Sequence, residues 1–239
     1  DERQNEYFLE AIEDFVLPAK IYGKSNDYAT RILNTFQDRP LSTGVLLSGI
    51  KGAGKTLLAK QTALMARELN IPTIVINRPW HGDQFNTFVQ SLDSPAIIMF
   101  DEFEKVYDYS EQRAILTLLD GVFPTKKLFL LTTNSTGNVS EFLRNRPGRI
   151  YYNFEFTTLG QDFIREYCED RLTDQSRVDE VIKYTNIFSF FNFDMLAAAV
   201  EEMNRYNESL AEVLNVLNVV PETKHDETYE MTLVVNGKS

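Results

Sequence analysis

The sequence predicts an α/β fold, in which helices cover both faces of a five-stranded parallel sheet and a small helical lid domain follows. Two observations lead to this prediction. Between about residues 44 and 154, short apolar runs alternate with segments of helical periodicity, as expected for a parallel three-layer α/β/α domain. From about residue 160 the apolar spacing is helical only. We therefore divide the chain into residues 1–159, a helical lid at 160–218 and a tail at 219–239.

Strands are predicted from apolar runs, and helices from apolar residues three or four positions apart. The strands fall at residues 44–48, 73–77, 96–100, 128–133 and 150–154, separated by helices at 57–69, 83–92, 110–120 and 141–144. Further helices are predicted at 6–15 and about 27–36, and in the lid at 161–172, 178–185, 193–204 and 209–217. In the tail, residues 229–235 alternate like a lone strand.

Residues 49–56 read Gly-Ile-Lys-Gly-Ala-Gly-Lys-Thr and match the phosphate-loop pattern G-x-x-x-x-G-K-[ST]. Such a loop wraps its backbone N–H groups around a polyphosphate at a helix N-terminus. Lys55 then reaches the β- and γ-phosphates, and the Thr56 hydroxyl binds Mg²⁺. A glycine-rich turn without a ligand is the alternative, but the strand before it and the helix after it favour nucleotide binding. The predicted nucleotide contacts are Gly49, Lys51, Gly52, Ala53, Gly54, Lys55, Thr56 and Leu57.

Ile21, Tyr22 and Gly23 form a short extended piece, ending in a turn, upstream of this loop. That position suits part of a pocket for the nucleotide base. Packing of an N-terminal segment explains any one of the three residues equally well.

The apolar strand at 96–100 runs directly into two acids, Asp101 and Glu102. Such a strand is typical of the centre of a parallel sheet, buried on both faces. With a phosphate loop upstream, Asp101 is expected to hold Mg²⁺, directly or through water, and Glu102 to polarise an attacking water. The alternative is a solvated strand end whose charges face water.

Composition narrows the class of protein. The chain has 239 residues and a net charge of −11, and from residue 160 onward it carries seven Lys and Arg against sixteen Asp and Glu. An acidic surface disfavours the binding of nucleic acid, because that binding depends on neutralising phosphates.

Cys168 is the single cysteine, which excludes an internal disulfide and predicts a reducing, cytoplasmic setting. We also find no apolar run of about 18 residues, as a membrane helix would need, and the polar residues 1–6 are unlike a signal peptide.

With these motifs together, the chain resembles the AAA+ ATPases, closest to the classical AAA branch, from about residue 21 to residue 204. Residues 44–49 with Lys55 and Thr56 look like the first family signature, and residues 97–102 like the second. Residues 118–121, Leu-Leu-Asp-Gly, are similar to the Leu-x-Asp-Gly helix end of the family. The resemblance implies a P-loop NTPase fold, with ATP and Mg²⁺ as cofactors. It also implies that Asn134, after Thr132 and Thr133, contacts the γ-phosphate and the attacking water.

Residues 146–149, Arg-Pro-Gly-Arg, resemble the family element whose arginines reach the ATP of a neighbouring subunit. Arg146 and Arg149 are therefore candidate catalytic residues in trans. Arg144 is a nearby arginine that we do not count among these candidates. The resemblance implies a homo-oligomer, expected to be a hexameric ring. Ion pairs with local acids are the alternative role for these arginines.

Trp80, His81 and Gly82 occupy the position of the family's aromatic-hydrophobic-glycine pore loop, which grips polypeptide. His81 departs from the usual aliphatic residue, and Trp80 could instead belong to the core. Asn77 stands where the family places a polar residue that restrains the catalytic glutamate. Around Asn192 there is no arginine of the kind many AAA+ lids carry, and the usual Gly-Ala/Ser-Asp segment is not evident. How this lid senses the γ-phosphate is therefore open.

Three functions remain in competition at this stage. The leading hypothesis is an ATP-hydrolysing motor that remodels, unfolds or translocates a protein substrate, with adaptors as further partners. The second is an AAA+ loader or remodeller of nucleic-acid machinery, which the acidic charge disfavours. The third is a scaffold that binds ATP without useful hydrolysis, which the presence of Lys55, Asp101, Glu102 and Asn134 disfavours.

Overall fold

A computed structural model describes residues 7–121, 123, 125–134, 146–188 and 190–219 of the chain. Its centre is a parallel sheet of five strands in the order β2-β3-β4-β1-β5. The strands are β1 (Thr43–Gly49), β2 (Thr73–Ile76), β3 (Ala96–Phe100), β4 (Lys127–Thr133) and β5 (Tyr152–Phe156). The predicted five-stranded parallel sheet is confirmed.

Helices connect these strands and form the C-terminal third of the described chain. Around the sheet they are α1 (Ser25–Asp38), α2 (Lys55–Glu68), α3 (Asp83–Gln90), α4 (Phe103–Val106) and α5 (Tyr109–Leu119). After the sheet come α6 (Gln161–Arg171), a 3₁₀ turn (Gln175–Arg177), α7 (Val178–Thr185), α8 (Phe193–Tyr206) and α9 (Leu210–Val216). The helix predicted at 141–144 and the tail strand predicted at 229–235 lie outside the described residues.

The three central strands bury side chains on both faces of the sheet. In β3, Ile97 and Met99 join the core on the face covered by α1 and α2, whereas Ile98 and Phe100 join the core on the face of α3, α4 and α5. The same alternation runs through β1 and β4. Because successive side chains of a strand point to opposite faces, an unbroken apolar run becomes a middle layer between two helical layers.

The helices after β5 have a core of their own. It contains Cys168, Val181, Leu196 and Val213, all essentially inaccessible, and Tyr22, from the N-terminal part of the chain, also joins it. This separate core supports the predicted division near residue 159, which stays a prediction.

Three details of the secondary structure differ from the sequence expectations. Residues 7–18 have no regular secondary structure, so the helix predicted at 6–15 is wrong. Tyr7 packs with the core on the α3 face of the sheet and Phe15 with the core on the α1 face, an arrangement that needs an extended chain. Phe8, Leu9 and Ile12, which supplied the apolar spacing, are exposed. Periodicity alone does not stabilise so short a helix without a surface to pack against.

The fifth strand begins two residues later than predicted. Ile150 is buried ahead of the strand, and Tyr151 donates its N–H to the carbonyl of Gly44 at 2.8 Å before the ladder with β1 starts at Tyr152. The short helix α4, directly after the two acids, was not predicted. Four residues are too few to show helical periodicity in a sequence.

Candidate active site

The candidate site lies where three neighbouring strands end. β3, β4 and β1 are adjacent and parallel, so their carboxyl ends meet at one edge of the sheet. The phosphate loop follows β1, Asp101 and Glu102 follow β3, and Asn134 follows β4. The structure therefore brings together the main predicted residues from three separate parts of the sequence.

The loop conformation depends on glycine at two positions. Gly49 has φ 125°, and a Cβ there would lie 1.9 Å from the carbonyl oxygen of Phe156. Gly54 has φ 98° and stands at the N-cap of α2. Residues other than glycine rarely adopt such φ values. The glycines thus allow the loop to turn sharply from β1 into the N-terminus of α2.

Lys55 points back into the loop. Its Nζ donates to the carbonyl oxygens of Gly49 at 2.9 Å and Ile50 at 2.6 Å, and the residue is buried. Burial lowers the pKa of Lys55, and the nearby carboxylates, Glu104 first, oppose that shift. The ammonium group is thus held among backbone oxygens, where it can exchange a carbonyl for a phosphate oxygen.

Thr56 and Asp101 provide an oxygen pair suited to Mg²⁺. The Thr56 hydroxyl donates to Asp101 Oδ1 at 3.3 Å, and the Thr132 hydroxyl donates to the same oxygen at 2.6 Å. Among the described residues no group of three or more His, Cys, Asp or Glu could hold a metal ion. One hydroxyl and one carboxylate fit an ion that takes its remaining ligands from water and phosphate. Thr132, which the sequence analysis did not single out, orients that carboxylate.

Glu102 adopts an unusual backbone conformation, with φ 48°. Its N–H donates to the Thr132 hydroxyl at 2.9 Å, and its carboxylate pairs with Lys105 Nζ at 2.5 Å. The hydrogen bond from Lys105 is the main cause that lowers the pKa of Glu102, and Asn134 contributes. A left-handed non-glycine residue at the end of a strand is a mark of functional sites. The carboxylate is ionised at neutral pH and can accept a proton.

Asn134 lies beside two carboxylates. Its Nδ2 donates to Glu102 Oε1 at 3.4 Å, and its backbone N–H donates to Glu104 Oε1 at 2.9 Å. Glu104 fixes the position of Asn134 but was not predicted. Nothing in the local sequence singles out Glu104, because its role comes from a contact with a residue 30 positions later in the chain.

Tyr22 and Gly23 contact the lid, and Ile21 directly precedes them, half-buried. The Tyr22 hydroxyl bonds to Asp170 and accepts from Arg171 Nε, and the Gly23 N–H donates to Glu166 Oε2 at 3.0 Å. The segment then enters α1, whose first residues bond to Gln61 of α2. It thus links the lid with the helix that follows the phosphate loop. A role in binding the base stays a prediction.

Arg146 and Arg149 lie at the other end of the sheet. Arg149 forms two hydrogen bonds to the Asp120 carboxylate, at 2.6 and 2.5 Å, which raise its pKa. Arg146 is exposed in the turn before β5. A Cβ on Gly44, at the start of β1, would lie 1.9 Å from the Arg149 carbonyl oxygen. Gly49 lies five positions after Gly44 along the strand, a distance of about 16 Å at the usual rise of a strand.

The predicted pore-loop residues lie between β2 and α3. The Trp80 ring packs edge-on against Tyr7, with centroids 5.3 Å apart, and the Trp80 carbonyl accepts from the Tyr107 hydroxyl at 2.9 Å. His81 is exposed and Gly82 is the N-cap of α3. Trp80 is therefore partly buried, and His81 is the more accessible of the two side chains.

Comparisons with known proteins agree with this geometry. The family model described as ATPase family associated with various cellular activities (AAA) matches residues 45–158. A protein of Plasmodium falciparum (isolate 3D7) that carries the name cell division cycle ATPase is 26% identical over 202 residues, which cover 74% of this chain and 16% of that protein. A spastin homolog of Caenorhabditis elegans is 26% identical over 181 residues, covering 66% of this chain and 35% of that protein. The chain thus spans about a third or less of these curated relatives.

A similar fold occurs among solved structures. A chain of the E. coli MS115-1 HORMA:CdnC:Trip13 complex aligns with a TM-score of 0.59 and 14% sequence identity, covering 85% of this chain and 90% of that chain. At that identity the likeness shows the fold alone. Among the described residues, no helix has the length and apolar character needed to cross a membrane.

Proposed function

Since this chain belongs to the AAA family of ATPases, we propose that it works as one subunit of a ring, expected to be a hexamer, that uses ATP to remodel, unfold or translocate a protein substrate. ATP hydrolysis and nucleotide binding follow from the family. The ring, the protein substrate and any adaptor are the proposal. A cytoplasmic setting stays a prediction from the single, buried Cys168.

The described residues divide the work of hydrolysis among three strand ends. The loop N–H groups and Lys55 bind the β- and γ-phosphates, while Thr56 and Asp101 would hold Mg²⁺, which supplies charge neutralisation at the phosphates. Glu102 accepts a proton from the attacking water. Asn134, 3.4 Å from Glu102 Oε1, orients that water and contacts the γ-phosphate. Thr132 holds both acids in place.

One observation carries the oligomeric part of the proposal: the candidate arginines and the phosphate loop lie at opposite ends of the sheet. With about 16 Å of β1 between them, Arg146 cannot reach the phosphates of its own subunit through a side chain about 7 Å long. A neighbouring subunit can present its Arg146 at the open side of the loop. An arginine supplied in this way stabilises the charge on the transferred phosphoryl group, by about 10³-fold in rate or more. Arg149 would have to release Asp120 to take part.

The loop at residues 78–82 is the proposed contact with polypeptide. Tyr107 anchors its carbonyls at Arg78 and Trp80, so movement of α4 and α5 is transmitted to the loop. To grip a substrate, the indole side chain of Trp80 must move away from its contact with Tyr7. The flat indole then provides a broad apolar surface that suits many peptide sequences.

Mixing two inactive variants tests the shared site. Glu102→Gln retains Arg146 but lacks the proton acceptor, and Arg146→Ala retains the acceptor but lacks the arginine for its neighbour. Mixed rings contain sites that combine an intact Glu102 with an intact Arg146. ATP turnover should therefore reappear on mixing. Rings that stay inactive on mixing, or an Arg146→Ala protein with full turnover as a monomer, would refute the trans site.

Substrate trapping tests the remodelling role. Glu102→Gln with ATP should hold the ring in a substrate-bound state, whereas Lys55→Ala with the same tag should not bind ATP and serves as the control. The motor function is supported if a protein is enriched by Glu102→Gln and not by Lys55→Ala. That protein should no longer be enriched by the double variant Glu102→Gln/Trp80→Ala. Enrichment of nucleic acid in place of protein would favour the loader function instead.

A further inference from the structure

The first turn of lid helix α8 contacts the phosphate loop directly. Asn192 Nδ2 donates to the carbonyl oxygen of Lys51 at 3.1 Å, and the N–H of Phe193 donates to the carbonyl oxygen of Gly52 at 3.2 Å. The Asp194 carboxylate lies so close that a Cβ on Gly52 would be 2.7 Å from its Oδ2. The lid therefore touches the loop through two hydrogen bonds and one close approach.

The side chain of Asn192 serves both structures at once. Its Oδ1 accepts from the N–H of Met195 at 2.9 Å and caps α8, while its Nδ2 faces the loop. The residue is nearly buried, with 9% of its surface accessible. The two bonds require the same orientation of the amide, with oxygen towards the helix and nitrogen towards the loop. Neither the phosphate loop nor the start of α8 can therefore shift alone without breaking one of these two hydrogen bonds.

These bonds also fix the direction of loop N–H groups. In a trans peptide the C=O and the following N–H point in opposite directions. A bond to the Lys51 carbonyl therefore turns the Gly52 N–H away from the lid, and a bond to the Gly52 carbonyl does the same for the Ala53 N–H. Those are groups with which a phosphate loop binds its ligand.

The arginines of the described lid are engaged with acids of the lid itself. Each arginine among residues 160–188 and 190–219 pairs with an acid of the lid: Arg165 with Asp179, Arg171 with Asp170, Arg177 with Asp174 and Arg205 with Glu202. A signal between nucleotide and lid thus has a direct route through the loop backbone.

We propose that Asn192 is a positioning residue that couples the lid to the phosphate loop, by holding the loop N–H groups towards the nucleotide and the first turn of α8 towards the loop. Nucleotide binding then tightens the start of α8. The inference rests on nucleotide binding at the loop and does not require the ring or a protein substrate.

Asn192→Ser separates the two bonds of the side chain. Serine is a good N-cap and keeps the acceptor for Met195, but it is too short to reach Lys51. One neutral hydrogen bond corresponds to about 0.5–1.5 kcal/mol, so the Kd for MgADP should rise about 2- to 12-fold while the melting temperature changes little. Asn192→Thr, which also caps, gives a second variant of the same kind.

Asn204→Ser is the matched control. Asn204 also makes two backbone bonds, accepting from the Thr173 N–H and donating to the Arg171 carbonyl, each at 2.7 Å, but both lie within the lid. Loss of the Asn204 amide in this variant should leave the Kd for MgADP unchanged.

Hydrogen exchange then separates coupling from a structural role. In the unsubstituted protein, ADP should slow exchange at residues 193–196, and in Asn192→Ser this effect should disappear while protection of α2 remains. Equal Kd values for Asn192→Ser and the unsubstituted protein, with protection of α8 retained, would overturn the proposal. So would an equal loss of affinity in Asn204→Ser, because lid stability would then explain the effect.

Discussion

Arg149 and Asp120 form a two-point ion pair within one chain, with Nε–Oδ1 and Nη2–Oδ2 distances of 2.6 and 2.5 Å. The pair joins the end of α5 to the turn before β5. It gives a structural role to the aspartate of the Leu-Leu-Asp-Gly segment. It also distinguishes Arg149, whose side chain is 15% accessible, from the exposed Arg146 next to it.

This difference predicts that substitution of Arg149 lowers the free energy of unfolding and that substitution of Arg146 does not. Arg149→Ala and Asp120→Ala should each lower the free energy of unfolding by about 1 kcal/mol, the range of a partly exposed pair with good geometry. The double variant should lose less than the two single losses added together, because both remove the same pair. Arg146→Ala, the control, should stay within about 0.5 kcal/mol of the unsubstituted protein. Additive losses in urea titrations would show that the pair does not contribute.

Thr132 is predicted to matter for catalysis although it touches no substrate. Thr132→Val keeps the shape of the side chain but removes the hydroxyl that bonds to Asp101 and to the N–H of Glu102. Loss of such an orienting group typically costs 10- to 100-fold in metal affinity or activity, so ATP turnover should fall about 10-fold or more, with a higher requirement for Mg²⁺.

Thr62→Val is the control for this prediction. The hydroxyl of Thr62 is also buried but bonds to the Leu58 carbonyl within α2. ATP turnover should be unchanged in this variant. Unchanged turnover and unchanged Mg²⁺ dependence in Thr132→Val would show that Asp101 and Glu102 are held by other contacts.

The sheet and the main site motifs could be predicted because their signals are local. The all-apolar run of β3, with two acids after it, needs no knowledge of the rest of the chain. Residues that act through another residue were missed. Thr132, Glu104 and Asn192 have ordinary identities, and their roles come from contacts across 30 to 141 positions in the chain.

The same reasoning explains the failure at the N-terminus. Apolar spacing in residues 6–15 fits a helix, but spacing does not reveal that Tyr7 and Phe15 pack on opposite faces of the sheet. That arrangement involves the edge strand β2, which lines one cavity together with residues 7–15 although it is about 60 positions away in the chain. Local periodicity was overridden by tertiary packing.

Gly49 should be intolerant of any side chain. In Gly49→Ala the new Cβ would approach the Phe156 carbonyl to 1.9 Å, and φ 125° would add backbone strain. We expect a loss of about 3 kcal/mol or more in the free energy of unfolding, measured by urea titration. Gly148→Ala is the control, because nothing lies within 4 Å of a Cβ there. Equal stability of the two variants would contradict the close approach of β1 and β5.

Lys127 is predicted to stabilise the fold as a buried cation. Its Nζ donates to the carbonyls of Leu92, Ser94 and Thr125, and the residue has no accessible surface. Lys127→Met fills a similar volume but leaves three carbonyls without this donor, so the free energy of unfolding should fall by about 2–4 kcal/mol. The exposed Lys24, changed to Met, should have little effect. A Lys127→Met protein as stable as the unsubstituted chain would show that water replaces the ammonium group.

Cys168 should report whether the lid opens on its own. The thiol is fully buried in the lid core, and burial raises its pKa to about 11. Because the thiolate is the reactive form, a raised pKa slows reaction with a disulfide reagent at pH 8, in addition to the effect of burial.

Leu196→Ala creates a cavity in the lid core. It should speed labelling of Cys168 by about 30-fold or more, as expected for a loss of at least 2 kcal/mol in local stability. Leu130→Ala makes a similar cavity in the sheet, where it should leave the labelling rate unchanged if the lid is a separate unit. Equal acceleration by both variants would show that the two parts unfold together and would place no domain boundary near residue 159.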